Sequence, residues 1–226
     1  MISAATDLCG VILAGGLSRR MGADKASTLL AGRSMLEHIA KRLAPQVGQL
    51  AVNANSDQRN GDPSDEHSVT IPGIATPLPV IIDRLSGRPG PLAGIAGAMD
   101  FAQRASTHSH VLIVPIDTPF LPTDLAQKLL TELPDRDSLV LARSLGRLHP
   151  VIGLWPVGLA EIIEDWLVKP DNRKLMVFLE DKPVVAVDFA PVETRVGPLD
   201  PFFNVNTPDD LHQAETHLEL ERDDNR

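Results

Sequence analysis

A mostly parallel α/β sheet with a small antiparallel insertion is the architecture this chain encodes, and three features of the sequence say so. Short apolar runs alternate with segments of helical periodicity through the first 135 residues, roughly, which is the pattern of βαβ crossovers. Several of those runs end in Gly, Asn or Asp, the residue types that sit at the carboxyl rim of a parallel sheet. Later, two apolar segments stand so close together that no helix fits between them.

The elements follow in order. Leu8 to Leu13 reads as a buried strand. Ser34 opens a helix with Glu37 at the capping-box position; Met35, Ile39 and Leu43 share one face, and Pro45 stops it. Leu50 to Asn53 is a second strand. Ser56 to Pro79, rich in Asp, Pro, Gly and Ser, reads as a long loop. Val80 to Asp83 is a short strand. Pro91 to Ala105 is a helix with Leu92, Ile95 and Met99 inward. His110 to Asp117 is an apolar strand whose Pro115 suggests an edge or a bulge. A helix starts at Thr123, with Leu125, Leu129 and Leu133 buried. Ser138 to Arg143 and Pro150 to Trp155 form the antiparallel insertion. Helices follow at Val157 to Val168 and Asn172 to Leu179, then a strand at Val184 to Phe189. Thr207 caps a last helix with Pro208 at its first position and Asp210 at the capping-box site, and Glu219 to Arg226 are expected to fray. No internal repeat or linker is visible. One domain over 1–226 is expected, with a nucleotide-binding half at about 8–120 and an acceptor-binding half at about 121–220.

Composition narrows the function. With 226 residues and 43% apolar side chains, the chain can bury a sizeable core. Its 21 basic and 30 acidic side chains leave a net charge of -9, which disfavours nucleic-acid and anionic-membrane partners. Cys9 is the only cysteine, so neither a disulfide framework nor a cysteine zinc site is available. No run is long enough to span a bilayer, and no secretory signal is read at the N-terminus. A reducing cytoplasm is the expected location.

The chemistry concentrates at strand ends. After Leu13, Ala14, Gly15 and Gly16 come Arg19, Arg20, Gly22, Asp24 and Lys25. Glycines that expose backbone N–H groups, followed by cations, make a phosphate cradle. The loop fits neither G-x-G-x-x-G nor the Walker A pattern, because Ala23 and Asp24 separate Gly22 from Lys25. A tight turn explains the glycines alone; it does not explain three clustered cations. Arg20 can clasp phosphate oxygens as a fork, and Lys25 can meet a terminal phosphate as a point charge. Asp117 at a strand end is either a turn residue or a Mg²⁺ ligand, since Mg²⁺ prefers one or two carboxylates plus substrate phosphates. Asn53 is a turn amide or a ribose or base contact. Asp83 is a solvated loop acid or an acceptor for a guanine edge. Gly94 permits close approach, for packing or for a ligand. Asn204 and Asn206 are turn chemistry before Thr207, or paired amides orienting phosphate or metal-bound water. His149, before Pro150, reads as a hydrogen-bonded structural histidine. No His or Cys cluster has metal spacing, and Ser18 lacks a nucleophile elbow.

These motifs resemble a known family. Leu13-Ala14-Gly15-Gly16 with Arg20-Met21-Gly22-x-Asp24-Lys25 is similar to the signature loop of nucleotidyltransferases with a Rossmann-like fold. Val52-Asn53-Ala54-Asn55, Pro89 to Gly94, Pro115-x-Asp117-Thr118-Pro119 and Asn204-Val205-Asn206-Thr207-Pro208 narrow the likeness to the molybdenum cofactor guanylyltransferases. The resemblance runs from about Val11 to Leu211. It implies a three-layer sandwich of the nucleotide-diphospho-sugar transferase type. It implies GTP contacts from Leu13, Ala14, Gly15, Gly16, Lys25, Asn53, Asp83 and Asp117, with Mg²⁺ on Asp117. Lys25, Arg20 and Asp117 then carry transfer of GMP to molybdopterin or Mo-molybdopterin. Other molybdenum-cofactor biosynthesis proteins and molybdoenzyme chaperones are the implied protein partners, and a monomer is expected. Cytidylyl or sugar-phosphate nucleotidyl transfer stands as the neighbouring alternative, and a non-catalytic nucleotide sensor as one of another class.

Overall fold

Alternation along the first strand sets the layers. In β1 (Cys9–Leu13) every residue is buried, so both faces of the strand are covered, as a parallel sheet requires. Leu8, Ile12 and Ala14 enter one apolar cluster; Cys9, Val11 and Leu13 enter the other. The computed structural model describes residues 7–15, 28–54, 68–82, 90–169 and 174–223.

The remaining strands are β2 (Leu29–Leu30), β3 (Arg33–Ser34), β4 (Gln49–Ala54), β5 (Ser68–Val69), β6 (Leu78–Ile82), β7 (His110–Pro115), β8 (Leu139–Ser144), β9 (Arg147–Pro156), β10 (Val184–Asp188), β11 (Val192–Thr194) and β12 (Gly197–Leu199). The helices are α1 (Met35–Leu43), α2 (Pro91–Ala105), α3 (Leu125–Thr131), α4 (Ala160–Val168), α5 (Leu175–Leu179) and α6 (Pro208–Asp223). Eight strands form one sheet in the order β10-β8-β9-β7-β1-β4-β6-β5. β4 and β7 flank β1 in parallel, with Leu13 opposite Asn53 on one side and Pro115 on the other. Only β9 and β5 run against the rest. Helices α1, α3 and α6 cover one face with Met35, Ile39, Leu125, Leu129 and Ala214. Helices α2, α4 and α5 cover the other with Leu92, Ile95, Met99, Ile163 and Phe178. The expected α/β sandwich is therefore present.

Local signals explain the helix ends. Ser34 accepts the Glu37 N–H at 3.1 Å, while the Glu37 carboxylate pairs with Lys41 at 2.6 Å instead of returning to the cap. At α6 the box closes: Asp210 N–H donates to Thr207 Oγ1, and Asp210 Oδ2 accepts from the N–H groups of Asn206 and Thr207 at 2.9 Å.

Several expectations need correction. The antiparallel pair is present as β8 and β9, and it lies inside the main sheet, with β9 between β7 and β8. Pro115 is not on an edge strand; it ends the central β7, where the β9 ladder has already stopped at Ile113 and no partner needs its missing N–H. The presumed loop from Ser56 to Pro79 contains β5 and the start of β6. Leu133 lies past the end of α3 and is only half-buried. The last helix runs to Asp223.

β9 carries a wide bulge. Ala142 pairs with His149, yet Leu141 pairs with Gly153, so Pro150 to Ile152 have no counterpart on β8. Pro150 cannot donate a ladder bond, and it restricts His149 to extended backbone. Gly153 closes the bulge against β8: a Cβ there would stand 2.3 Å from the Val140 carbonyl oxygen.

Candidate functional site

All the strands parallel to β1 end on one rim, and a cleft with a volume of about 920 Å³ opens there. Its first wall is Leu13, Ala14 and Gly15, immediately after β1. Ala14 N–H donates to the Asn53 carbonyl at 2.8 Å, and Ile116 N–H donates to the Leu13 carbonyl at 3.1 Å, so three strand tips are tied together. That ladder brings Gly15 and Asp117 to the same cleft.

Asn53 is 1% exposed, which rules out an ordinary surface turn amide. Its side chain lies against α2 at Gly94 and Gly97. α2 begins at the cleft: Gly90 precedes it at φ +93°, a conformation glycine adopts without penalty, and Pro91 takes the first helical position. The amino end of this long helix, Gly90 to Gly94, borders the cleft, where its dipole favours negative charge.

Asp117 is partly buried and lines the cleft just beyond β7. Its carbonyl accepts the Val205 N–H at 2.8 Å, which draws Asn204 and Asn206 to the same rim. Thr118 turns its hydroxyl back onto the Pro115 carbonyl at 3.1 Å. Among the described residues no group of three His, Cys, Asp or Glu side chains makes a metal cage. A single carboxylate at this rim is a donor set that could share a divalent cation with phosphate oxygens and water.

The structure thus brings together Leu13, Ala14, Gly15, Asn53 and Asp117. Gly16, Arg20, Lys25 and Asp83 lie outside the described residues. On the far wall the sequence pointed to the Ser138 to Trp155 segment and read His149 as structural, but it did not find Arg147, Asp200 or Phe202, which line the cleft beside it. Ser144, 1% exposed at the end of β8, donates to Asp200 Oδ1 at 2.7 Å and lies 2.7 Å from His149 Nε2. Asp200 Oδ1 also accepts the Phe202 N–H at 2.9 Å, and the His149 and Phe202 rings pack with centroids 4.9 Å apart. Burial holds the His149 pKa below its ordinary 6.5; Asp200 pulls it upward and Arg147 downward. The His149-Pro150 pair at the bulge was the available signal, but Ser144 and Asp200 are 56 residues apart and no spacing rule joins them.

Comparison with known proteins agrees with this architecture. The model of the MobA-like NTP transferase domain matches residues 10–184. A molybdenum cofactor guanylyltransferase of Sinorhizobium fredii is 44% identical over 209 residues, covering 92% of this chain and 90% of that protein. One of Rhizobium leguminosarum is 43% identical over 217 residues, covering 96% of each. The crystal structure of molybdopterin-guanine dinucleotide biosynthesis protein A from Archaeoglobus fulgidus superposes with a TM-score of 0.63 over 94% of this chain and 99% of that one; at 20% identity this speaks to the fold. With a family model spanning most of its length and relatives above 40% identity over nearly all of it, the chain belongs to the molybdenum cofactor guanylyltransferase family.

Proposed function

We propose that the protein transfers the GMP moiety of GTP to molybdopterin, forming the guanine dinucleotide cofactor and releasing pyrophosphate. The observation that carries this is the shared cleft: the Gly15 loop, Asn53, the amino end of α2 and Asp117 occupy one rim in a chain whose relatives bear that name. The nucleotide belongs to the half at about 8–120 and the acceptor to the half at about 121–220 of one domain, whose unity is supported by one continuous sheet. A terminal phosphate oxygen of molybdopterin attacks the α-phosphorus; the new P–O bond forms as the bond to the β-phosphate oxygen breaks. A phosphate monoester with a second pKa of about 6 is mostly dianionic at neutral pH, so no side chain has to act as base.

The chain's contribution is positioning and charge. Backbone N–H groups at Gly15 and Gly16 and the α2 terminus receive phosphate oxygens. Lys25 and Arg20 offset charge on the triphosphate and on the departing pyrophosphate. Asn53 and Asp83 read the nucleoside. Asp117 would hold Mg²⁺, whose chemistry there is that of a Lewis acid. Location in a reducing cytoplasm is supported by the lone, buried Cys9 thiol, which burial raises to about 12 and leaves inert. No helix among the described residues is long and apolar enough to cross a membrane.

The test is pyrophosphate release and dinucleotide formation with molybdopterin and Mg²⁺, given GTP, CTP or UTP in turn. GTP-selective turnover is expected. Turnover with CTP alone would assign the neighbouring reaction, and binding of GTP without turnover would make the protein a sensor.

A further inference from the structure

The polar chain from Asp200 through Ser144 to His149 has a direction fixed by proton count. A carboxylate only accepts, and a serine hydroxyl has one proton. Ser144 must therefore donate to Asp200 and can only accept from His149. His149 accordingly carries its proton on Nε2. In the neutral ring that leaves Nδ1 with a lone pair, and the one hydrogen bond of His149 among the described residues is at Nε2. Burial of Ser144 protects this arrangement from water, and Asp200 is itself pinned by the Phe202 N–H. The ring is held from the side by Phe202 at 4.9 Å, and the bulge at Pro150 to Ile152 carries it to the cleft wall. The charged groups that act on it are Asp200 and Arg147. Three devices thus converge on one imidazole: a set tautomer, a set ring plane and a set backbone.

We infer that His149 is a recognition residue of the acceptor subsite, offering Nδ1 as a hydrogen-bond acceptor to an N–H group of a heterocycle lying along the His149–Phe202 wall. Ser144 and Asp200 are its positioning residues. The matching ligand chemistry is a flat, amide-like heterocycle with N–H donors, which a pterin supplies through its 2-amino and ring N–H groups. This assignment rests on the proposed guanylyl transfer to molybdopterin and identifies which wall reads the acceptor.

The experiment has two independent readouts. In steady-state assays with molybdopterin and GTP, His149→Leu raises the KM for molybdopterin roughly tenfold, the loss of one neutral hydrogen bond, and leaves the KM for GTP unchanged. His149→Asn, which restores an acceptor oxygen near the Nδ1 position, recovers part of that loss. Histidine labelled with ¹⁵N, assigned by comparison with His149→Leu, reports the neutral Nε2–H tautomer near pH 7 in the wild-type protein and a mixture of tautomers in Ser144→Ala. An unchanged molybdopterin KM in a folded, active His149→Leu overturns the inference, as does an Nδ1–H tautomer in the wild type. Should wild-type protein transfer no GMP at all, the guanylyltransferase reading fails separately; addition of free molybdopterin then decides between the two, because a shift of the His149 Nδ1 resonance upholds this contact and no shift overturns it.

Discussion

A Cβ on Gly94 would stand 2.6 Å from Asn53 Oδ1, so the helix and the amide beneath it are fitted to each other. Glycine inside a helix ordinarily costs about 1 kcal/mol relative to alanine. Here alanine loses that gain, because the buried amide has to rotate away. Gly94→Ala is expected to lower GTP affinity about tenfold, measured by calorimetry, while leaving the melting temperature no higher than that of wild type. Adding Asn53→Ala should recover stability but not affinity, a non-additivity typical of touching groups. Tighter GTP binding by Gly94→Ala would contradict the fit.

Under the proposed function, Lys25→Ala and Asp117→Ala should each slow pyrophosphate release by about 10³-fold or more, the first by removing a cation that offsets triphosphate charge and the second by removing the carboxylate that would hold the metal. The urea midpoint of Asp117→Ala should stay near wild type, because Asp117 lines the cleft rather than the core. Wild-type turnover in both variants would refute the assignment of this rim.

Gly153→Ala tests the bulge. Its Cβ would press on a backbone oxygen at 2.3 Å and on the Leu141 Cα at 2.9 Å, and neither atom can move without breaking the β8–β9 ladder. The cost is expected to reach about 3 kcal/mol, the upper end for overpacking. Chemical denaturation measures it, and a wild-type midpoint would mean that β8 and β9 pair differently.

Acid should destabilise the protein through its buried imidazoles. His110 is fully buried between the Ser109 hydroxyl and the Ser138 carbonyl, each at 2.9 Å. Burial lowers its pKa below 6.5, as it does for His38 and His149. The unfolded chain then binds more protons, so stability is fully present above pH 6.5 or so and is lost as pH falls through the folded values. Urea midpoints between pH 8 and 5 should decline on the acid side, and His110→Gln should flatten that decline. An identical pH profile in the variant would remove His110 from the account.

The sequence made the layers legible because β1, β7 and α2 are long, strongly patterned and locally capped. Residues such as Pro91, Ser34 and Asp210 announce their roles within four positions of the groups they cap. The two- and three-residue hairpins β2–β3 and β11–β12 went unread, since so few residues carry no period. The rim was legible for a different reason: Gly15 and Asp117 each follow a strand, Asn53 stands near the end of one, and parallel strands share a rim. The far wall was not. Whether β9 enters the sheet beside β7 is a long-range choice, and the meeting of Ser144 with Asp200 depends on it. His149 looked structural because a single histidine before a proline carries no mark of the company it keeps.

β9 has one more consequence. It is joined by ladder bonds to β7 on one side and β8 on the other, so under the proposed function it is the seam between the nucleotide wall and the acceptor wall. On that reading the sheet works as a ruler rather than a jaw. Donor and acceptor walls would keep a spacing that the substrates must match on arrival, and a change in acceptor size would call for a re-cut bulge at Pro150 to Ile152 rather than a wider swing of two lobes.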